Sequence, residues 1–96
     1  MRDLTRKVLR TATAGNAEKS DVLVTVSPNP GEGLTIRVES VVKAFYEDAI
    51  RTAARETAAR MDVADALICL DDYGALDHVI RARVEAALLR AAKEET

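Results

Sequence analysis

Tryptophan is absent, and only Phe45, Tyr46 and Tyr73 are aromatic. A core must therefore be built from Val, Leu, Ile and Ala, and there is no set of rings on which bases of a single strand would stack. The lone cysteine, Cys69, excludes an internal disulfide and fits a reducing compartment. Neither sign of charge dominates. Fourteen basic residues face 16 acidic ones for a net charge of −2, so the basic footprint of a nucleic-acid-binding domain is missing. No apolar run approaches the roughly 18 residues that mark a membrane span. The basic start MRDLTRKVLRTATAG carries Asp3 and no continuous apolar stretch, so no secretory signal is expected. The expectation is a cytoplasmic chain that meets neither nucleic acid nor membrane.

What is present is enough for one small domain. Ninety-six residues, 48% of them hydrophobic, fall at the size of a single domain. A chain this short buries only about 60–70% of its unfolded surface, which favours modest stability or a partner.

The organising stretch is 66–92. Ala66-Leu67-Ile68-Cys69-Leu70 is a short apolar run that reads as a buried strand. Asp71-Asp72-Tyr73-Gly74 supplies turn chemistry. Ile80, Val84, Ala87, Leu88 and Ala91 then recur at three- and four-residue steps, one face of a helix. Upstream, 22–27 is β-rich and 34–39 alternates, with Leu34, Ile36 and Val38 on the core side. Between them lies the turn cluster Pro28-Asn29-Pro30-Gly31-Glu32-Gly33, so these two strands are expected to form an antiparallel hairpin.

Ser40 is placed to N-cap a helix over 41–60. Its expected apolar stripe is Val42, Phe45, Ala49, Ile50, Ala53, Thr57 and Met61, with Glu47–Arg51 and Glu56–Arg60 pairs outside. Residues 1–20 read as a flexible N-terminal arm, in which Leu4, Val8 and Leu9 mark at most a short helical piece and Gly15 and Asn16 break any period. The remainder, 21–96, reads as one α+β domain, a two-layer sandwich. It has a mixed sheet of about three strands, in the order strand-strand-helix-strand-helix, with both helices on one face.

Catalytic chemistry finds few candidates. His78, the single histidine, falls in the first turn of a helix with no serine or cysteine at a telling spacing. Cys69 inside an apolar strand behaves as a small hydrophobe. Metal ligation has no clustered spacing behind it, and Asp71, Asp72 and Asp77 suit turn and cap roles better than a cation loop. Arg81, Arg83 and Arg90 share the last helix with Glu85. They make either a solvated face with an Arg81–Glu85 pair or a docking face for a phosphate or acidic partner, because the guanidinium fork suits both.

Gly74-Ala75-Leu76-Asp77, with Ile80-Arg81-Ala82-Arg83 and Glu85-Ala86 after it, resembles the C-terminal part of the citrate lyase acyl carrier protein (gamma) subunit family. Residues 45–52, FYEDAIRT, are similar to that family's first-helix segment, and Ala14-Gly15, Glu18 and Asp21-Val22 to its N-terminal segment. A looser relative is the acyl carrier subunit of malonate decarboxylase. The resemblance implies a carrier, not an enzyme. A serine of the N-terminal arm holds 2'-(5''-phosphoribosyl)-3'-dephospho-coenzyme A through a phosphodiester, installed by a prosthetic-group transferase. The arm's thiol carries acetyl or citryl between an acyl-transferase (alpha) and a lyase (beta) subunit. In this setting Arg81 and Arg83 become partner-docking candidates. A thioester on a mobile segment visits two active sites at high effective concentration.

The family's arm pattern is Glu-Ser-Gly-Asp, whereas this chain has Glu18-Lys19-Ser20-Asp21. Without a gap, Lys19 takes the serine's position and Ser20 the glycine's. With a one-residue slip, Ser20 takes the serine's. Ser20 is the only serine before the first strand and is the attachment candidate. The alternative is an unmodified structural or regulatory subunit that docks to lyase subunits without carrying the arm.

Overall fold

A computed structural model describes residues 6–41 and 43–92, with the side chains of 43–45 outside that description. The elements are β1 (Ala12–Gly15), β2 (Val22–Ser27), β3 (Leu34–Ser40), α1 (Lys43–Arg60), β4 (Ala66–Asp72) and α2 (Asp77–Ala91). The strands form one mixed sheet in the order β1-β2-β4-β3. β2 runs antiparallel to both β1 and β4, and β3 runs parallel to β4. The α+β two-layer architecture is as expected, with four strands rather than about three.

The sheet buries one face. Val22, Val24 and Val26 of β2 alternate with half-buried residues, and Ala66, Ile68, Leu70 and Asp72 are the buried alternate positions of β4. On the edges, Ile36 and Ala14 are buried while Leu34, Val38 and Ala12 pack against the core. α2 lies over β1 and β2, α1 over β3, and the helices pack on each other. The α2 stripe of Ile80, Val84, Ala87, Leu88 and Ala91 is buried as its spacing predicts.

Four expectations are corrected. First, β2 and β3 do not form a hairpin: β4 is inserted between them. The unbroken apolar run of β4 fits a central strand with neighbours on both sides, a demand stronger than the proximity of β2 and β3 in sequence. Second, Ala12–Gly15 is not part of an arm but the fourth strand, paired from Ala12↔Val26 to Gly15↔Leu23. Small side chains let it lie under α2, where Ala14 is 3% exposed.

Third, the buried face of α1 is Ile50, Ala53, Ala54, Thr57, Ala58 and Met61, while Ala49 is exposed. Val42 and the side chain of Phe45 lie outside the described residues, as does Leu4. Ser40 is the last residue of β3, and its hydroxyl donates to Asp72 Oδ2 at 2.9 Å. Fourth, two ion pairs link the helices where pairs along each helix were expected. Arg60 meets Glu85 at 3.3 Å and Arg81 meets Glu56 at 3.0 Å, in place of Glu56–Arg60 and Arg81–Glu85. Glu47–Arg51, at 2.8 Å, is as expected.

The exit from α1 is a Schellman turn without its usual glycine. Asp62 takes φ 60°, the Val63 N–H donates to Ala58 O at 2.9 Å, and the Asp62 N–H donates to Ala59 O at 3.0 Å. Buried Val63 and Ala58 supply the apolar contact that accompanies the motif. No helix among the described residues is long and apolar enough to cross a membrane.

Candidate functional site

Residues 16–21 connect β1 to β2 at one end of the sheet. The Asp21 N–H donates to Glu18 O at 3.0 Å, closing a four-residue turn with Lys19 and Ser20 at its centre. Both central side chains are exposed. The turn is fixed at its base. The Ser20 N–H donates to Tyr73 O at 2.8 Å and the Tyr73 N–H to Asp21 O at 2.9 Å, extending the β2–β4 ladder past the ends of both strands.

Asp21 is the anchor. Its carboxylate accepts Nε–H of Arg83 at 3.0 Å and a terminal N–H of the same guanidinium at 2.7 Å, a two-pronged pair from the middle of α2. It also accepts the Val22 N–H at 2.7 Å and the side-chain amide of Asn16 at 3.2 Å. The hydrogen bonds from Arg83, and then that from Val22, hold the carboxyl down at about 2 against an ordinary 3.8. The same pairing raises the Arg83 guanidinium.

Gly15 closes the other side of the loop. Its φ is 92°, and a Cβ there would lie 1.9 Å from Val22 O and 3.2 Å from the Arg83 side chain. A glycine is required for that close approach.

Ser20 has φ 68°. It occupies the third position of the turn in the left-handed region, where glycine is the favoured residue. In the ungapped match to Glu-Ser-Gly-Asp, Ser20 stands at the glycine. The backbone therefore has the conformation that this register predicts, with Lys19 at the serine's position. Spacing alone left the register open.

The other candidates fall elsewhere. Arg83 sits beneath the turn. Arg81 is one helical turn from Asp77, which it meets at 2.6 Å, and it also reaches Glu56, so its guanidinium is raised. Arg90 donates to Thr13 O at 2.7 Å, bracing β1. His78 is exposed in the first turn of α2. Cys69 is half-buried on the uncovered face of the sheet, opposite Thr25 and Arg37. Among the described residues there is no group of three or more His, Cys, Asp or Glu that could hold a metal ion.

Asp72 escaped the sequence reading as anything but a turn residue. It is 3% exposed and joins three segments, accepting from the Ser40 hydroxyl and the Ala75 N–H while its carbonyl accepts from the Val41 N–H. An acid at the end of an apolar strand, just before a glycine turn, was the available signal.

The profile of the family described as malonate decarboxylase delta subunit (MdcD) matches residues 9–91. The citrate lyase acyl carrier protein 2 of Salmonella paratyphi A is 43% identical over 88 residues, 92% of this chain and 91% of that protein. The citrate lyase acyl carrier protein of Cronobacter sakazakii is 44% identical, covering 93% and 91%. The fold is similar to a chain in the crystal structure of a Pseudomonas malonate decarboxylase hetero-tetramer in complex with malonate. That match has a TM-score of 0.78 at 20% identity and covers 92% of this chain and 90% of the other.

Proposed function

As the chain belongs to the citrate lyase acyl carrier protein family, we propose that it is the non-catalytic carrier subunit of a citrate lyase-type complex in the cytoplasm. The observation that carries this reading is the 18–21 turn: exposed at its tip and rooted at its base on β4 and α2. Ser20 is exposed, which suits access by a modifying enzyme. This fits esterification by phosphoribosyl-dephospho-coenzyme A. When bound, such an arm supplies a thiol for an acetyl or citryl thioester. The chain's own contribution is positional. Asp21 and Arg83 keep the root of the turn fixed, so the reach of the arm is set by the arm itself rather than by a wandering backbone. The partners on this reading are the acyl-transferase (alpha) and lyase (beta) subunits and a prosthetic-group transferase.

The test is the intact mass of the chain purified from its own host. A gain of one phosphoribosyl-dephospho-coenzyme A, mapped to Ser20 by fragmentation and lost in Ser20→Ala, is the expected result. An undiminished adduct in Ser20→Ala would overturn the site.

One observation favours a second reading. Ser20 has φ 68°, a conformation that favours glycine, which supports the ungapped register with Lys19 at the serine's position. A lysine has no ester oxygen to offer. On this reading the chain keeps the fold and the docking surfaces as an unmodified subunit. An unmodified mass in a host that modifies other carrier chains would select it.

A further inference from the structure

Five large hydrophobic side chains are exposed among the described residues, and three of them gather at one end of the domain. Tyr46 is 56% exposed on α1, Leu76 is 66% exposed just before α2, and Val41 is 67% exposed where the chain leaves β3. Tyr46 and Leu76 flank a cleft of about 490 Å³ floored by Ile50, Ala75 and Ile80. A second cleft, of about 320 Å³, opens beside it around Val41, and the two share Asp72. Apolar surface grouped in this way marks an interaction site more often than scattered exposed residues do.

Charge specifies what fits. Among the described residues, the charged ones lining the two clefts are Glu39, Asp71, Asp72 and Asp77, all acids. Asp72 is already satisfied by Ser40 and Ala75, and Asp77 by Arg81. Glu39 and Asp71 are different. They are direct partners across β3 and β4, both exposed, so two like charges stand side by side. Like charges opposed on a sheet are destabilising, and a cationic group seated between them relieves that repulsion. The surface also adjoins the 18–21 turn, because Tyr73, between Asp71 and Leu76, carries the backbone bonds to Ser20 and Asp21.

We propose that the end of the domain formed by Tyr46 and Ile50 of α1, the exit of β3 and the 71–77 connection is the docking surface for a partner subunit of the complex, which presents an apolar side chain to the cleft and basic side chains to Glu39 and Asp71. The proposal rests on the multi-subunit assembly proposed above, but not on modification of Ser20. A partner seated here lies beside the turn whether or not the turn carries an arm. Arg81 and Arg83 serve docking indirectly, Arg81 by holding Asp77 at the rim and Arg83 by holding the turn next to it.

The test is direct binding of the full chain to the purified alpha and beta subunits from the same host. Leu76→Ser and Tyr46→Ser remove apolar contact, and Glu39→Lys with Asp71→Lys reverses the charge. All of these positions are exposed, and circular dichroism checks that each variant keeps the fold. Leu89→Ser, an exposed position on the outer part of α2, is the control. The expected result is a loss of at least tenfold in affinity for one subunit in the cleft and charge-reversal variants, no loss in the control, and weakening of wild-type binding as salt is raised. Wild-type binding that the cleft and charge variants leave unchanged, or that the control weakens equally, overturns the docking surface alone. A wild-type chain that binds neither subunit overturns the assembly reading and the surface with it.

Discussion

Arg83 holds Asp21 through two parallel hydrogen bonds of 3.0 and 2.7 Å across 62 residues of sequence. This pair ties the 18–21 turn, with its two exposed central side chains, to α2. The loop's exposure and its fixed root are thus two separate properties, set by different residues.

The first prediction concerns that pair. A carboxyl lowered in the folded state contributes stability that is complete above its ordinary value and fades as the pH falls from there through the folded value. For Asp21 that window runs from 3.8 down to about 2. Carboxyl-carbon NMR of the folded chain should give a midpoint near the lower figure. In Arg83→Gln the midpoint should climb toward 3.8, and the Ser20 amide should exchange faster. An unmoved midpoint would show that the guanidinium is not what holds the carboxyl down.

Gly15→Ala should be the most damaging of the four glycine-to-alanine changes. The added carbon meets the Val22 carbonyl at 1.9 Å while φ stays at 92°. A loss of about 2–4 kcal/mol is expected in urea denaturation, from strain and from displacement of β1. Gly31→Ala has a φ of 75° but nothing within 4 Å of the added carbon, so it should cost only about 1 kcal/mol. Equal losses would mean that the clash at Gly15 relaxes freely.

Ser20→Gly should stabilise the domain by about 0.5–1 kcal/mol, since it removes a side chain from the left-handed region. The double variant Lys19→Ser with Ser20→Gly restores Glu-Ser-Gly-Asp on the same turn. If the ungapped register holds, this variant should gain an adduct at residue 19 when incubated with the prosthetic-group transferase, detectable as added mass. Should the wild type be modified at Ser20 and the double variant not, the slipped register is the right one.

Asp62→Gly should also be stabilising, by about 0.5–1 kcal/mol, because Asp62 holds φ 60° at the end of α1. Its carbonyl still accepts the Arg6 N–H at 2.9 Å, a contact the substitution leaves in place. Thermal denaturation gives the comparison, and a lowered Tm would show that the aspartate side chain has a role of its own.

The helices and three of the strands were legible in the chain, the helices and β3 by their periods, β2 by its β-branched composition and β4 by its unbroken apolar run. The α2 stripe can be read at three- and four-residue steps, and β3 by its alternation. β1 was not legible. Ala-Thr-Ala-Gly has little strand propensity, and what makes it a strand is β2 on one side and α2 above, neither of which is local. The misplaced hairpin has the same origin: sequence proximity favours pairing β2 with β3, whereas the core requires the most apolar strand in the middle. At the site, the turn and its candidate hydroxyl were visible, but the left-handed backbone of Ser20 was not, because a serine in a conformation that favours glycine leaves no mark on composition or periodicity. The cross-helix ion pairs were also invisible, since helical spacing offers every long charged side chain a local partner and only packing shows the remote one.

Because β4 lies between two strands that both precede it, the sheet cannot be assembled in the order in which it is synthesised. During translation the β1–β2 pair can close at once, but β2 and β3 emerge with their eventual neighbour still unmade. Joined by a short loop and pointing in opposite directions, they are each other's nearest available mates. The nascent chain must either keep that pairing weak or undo it when residues 66–72 arrive, and non-local closure of this kind is slow. A chain cut before Ala66 is therefore not a smaller version of the domain. It is a polypeptide with a different best pairing, and that makes premature termination or proteolytic nicking in the α1–β4 connection a route to aggregation rather than to a functional fragment.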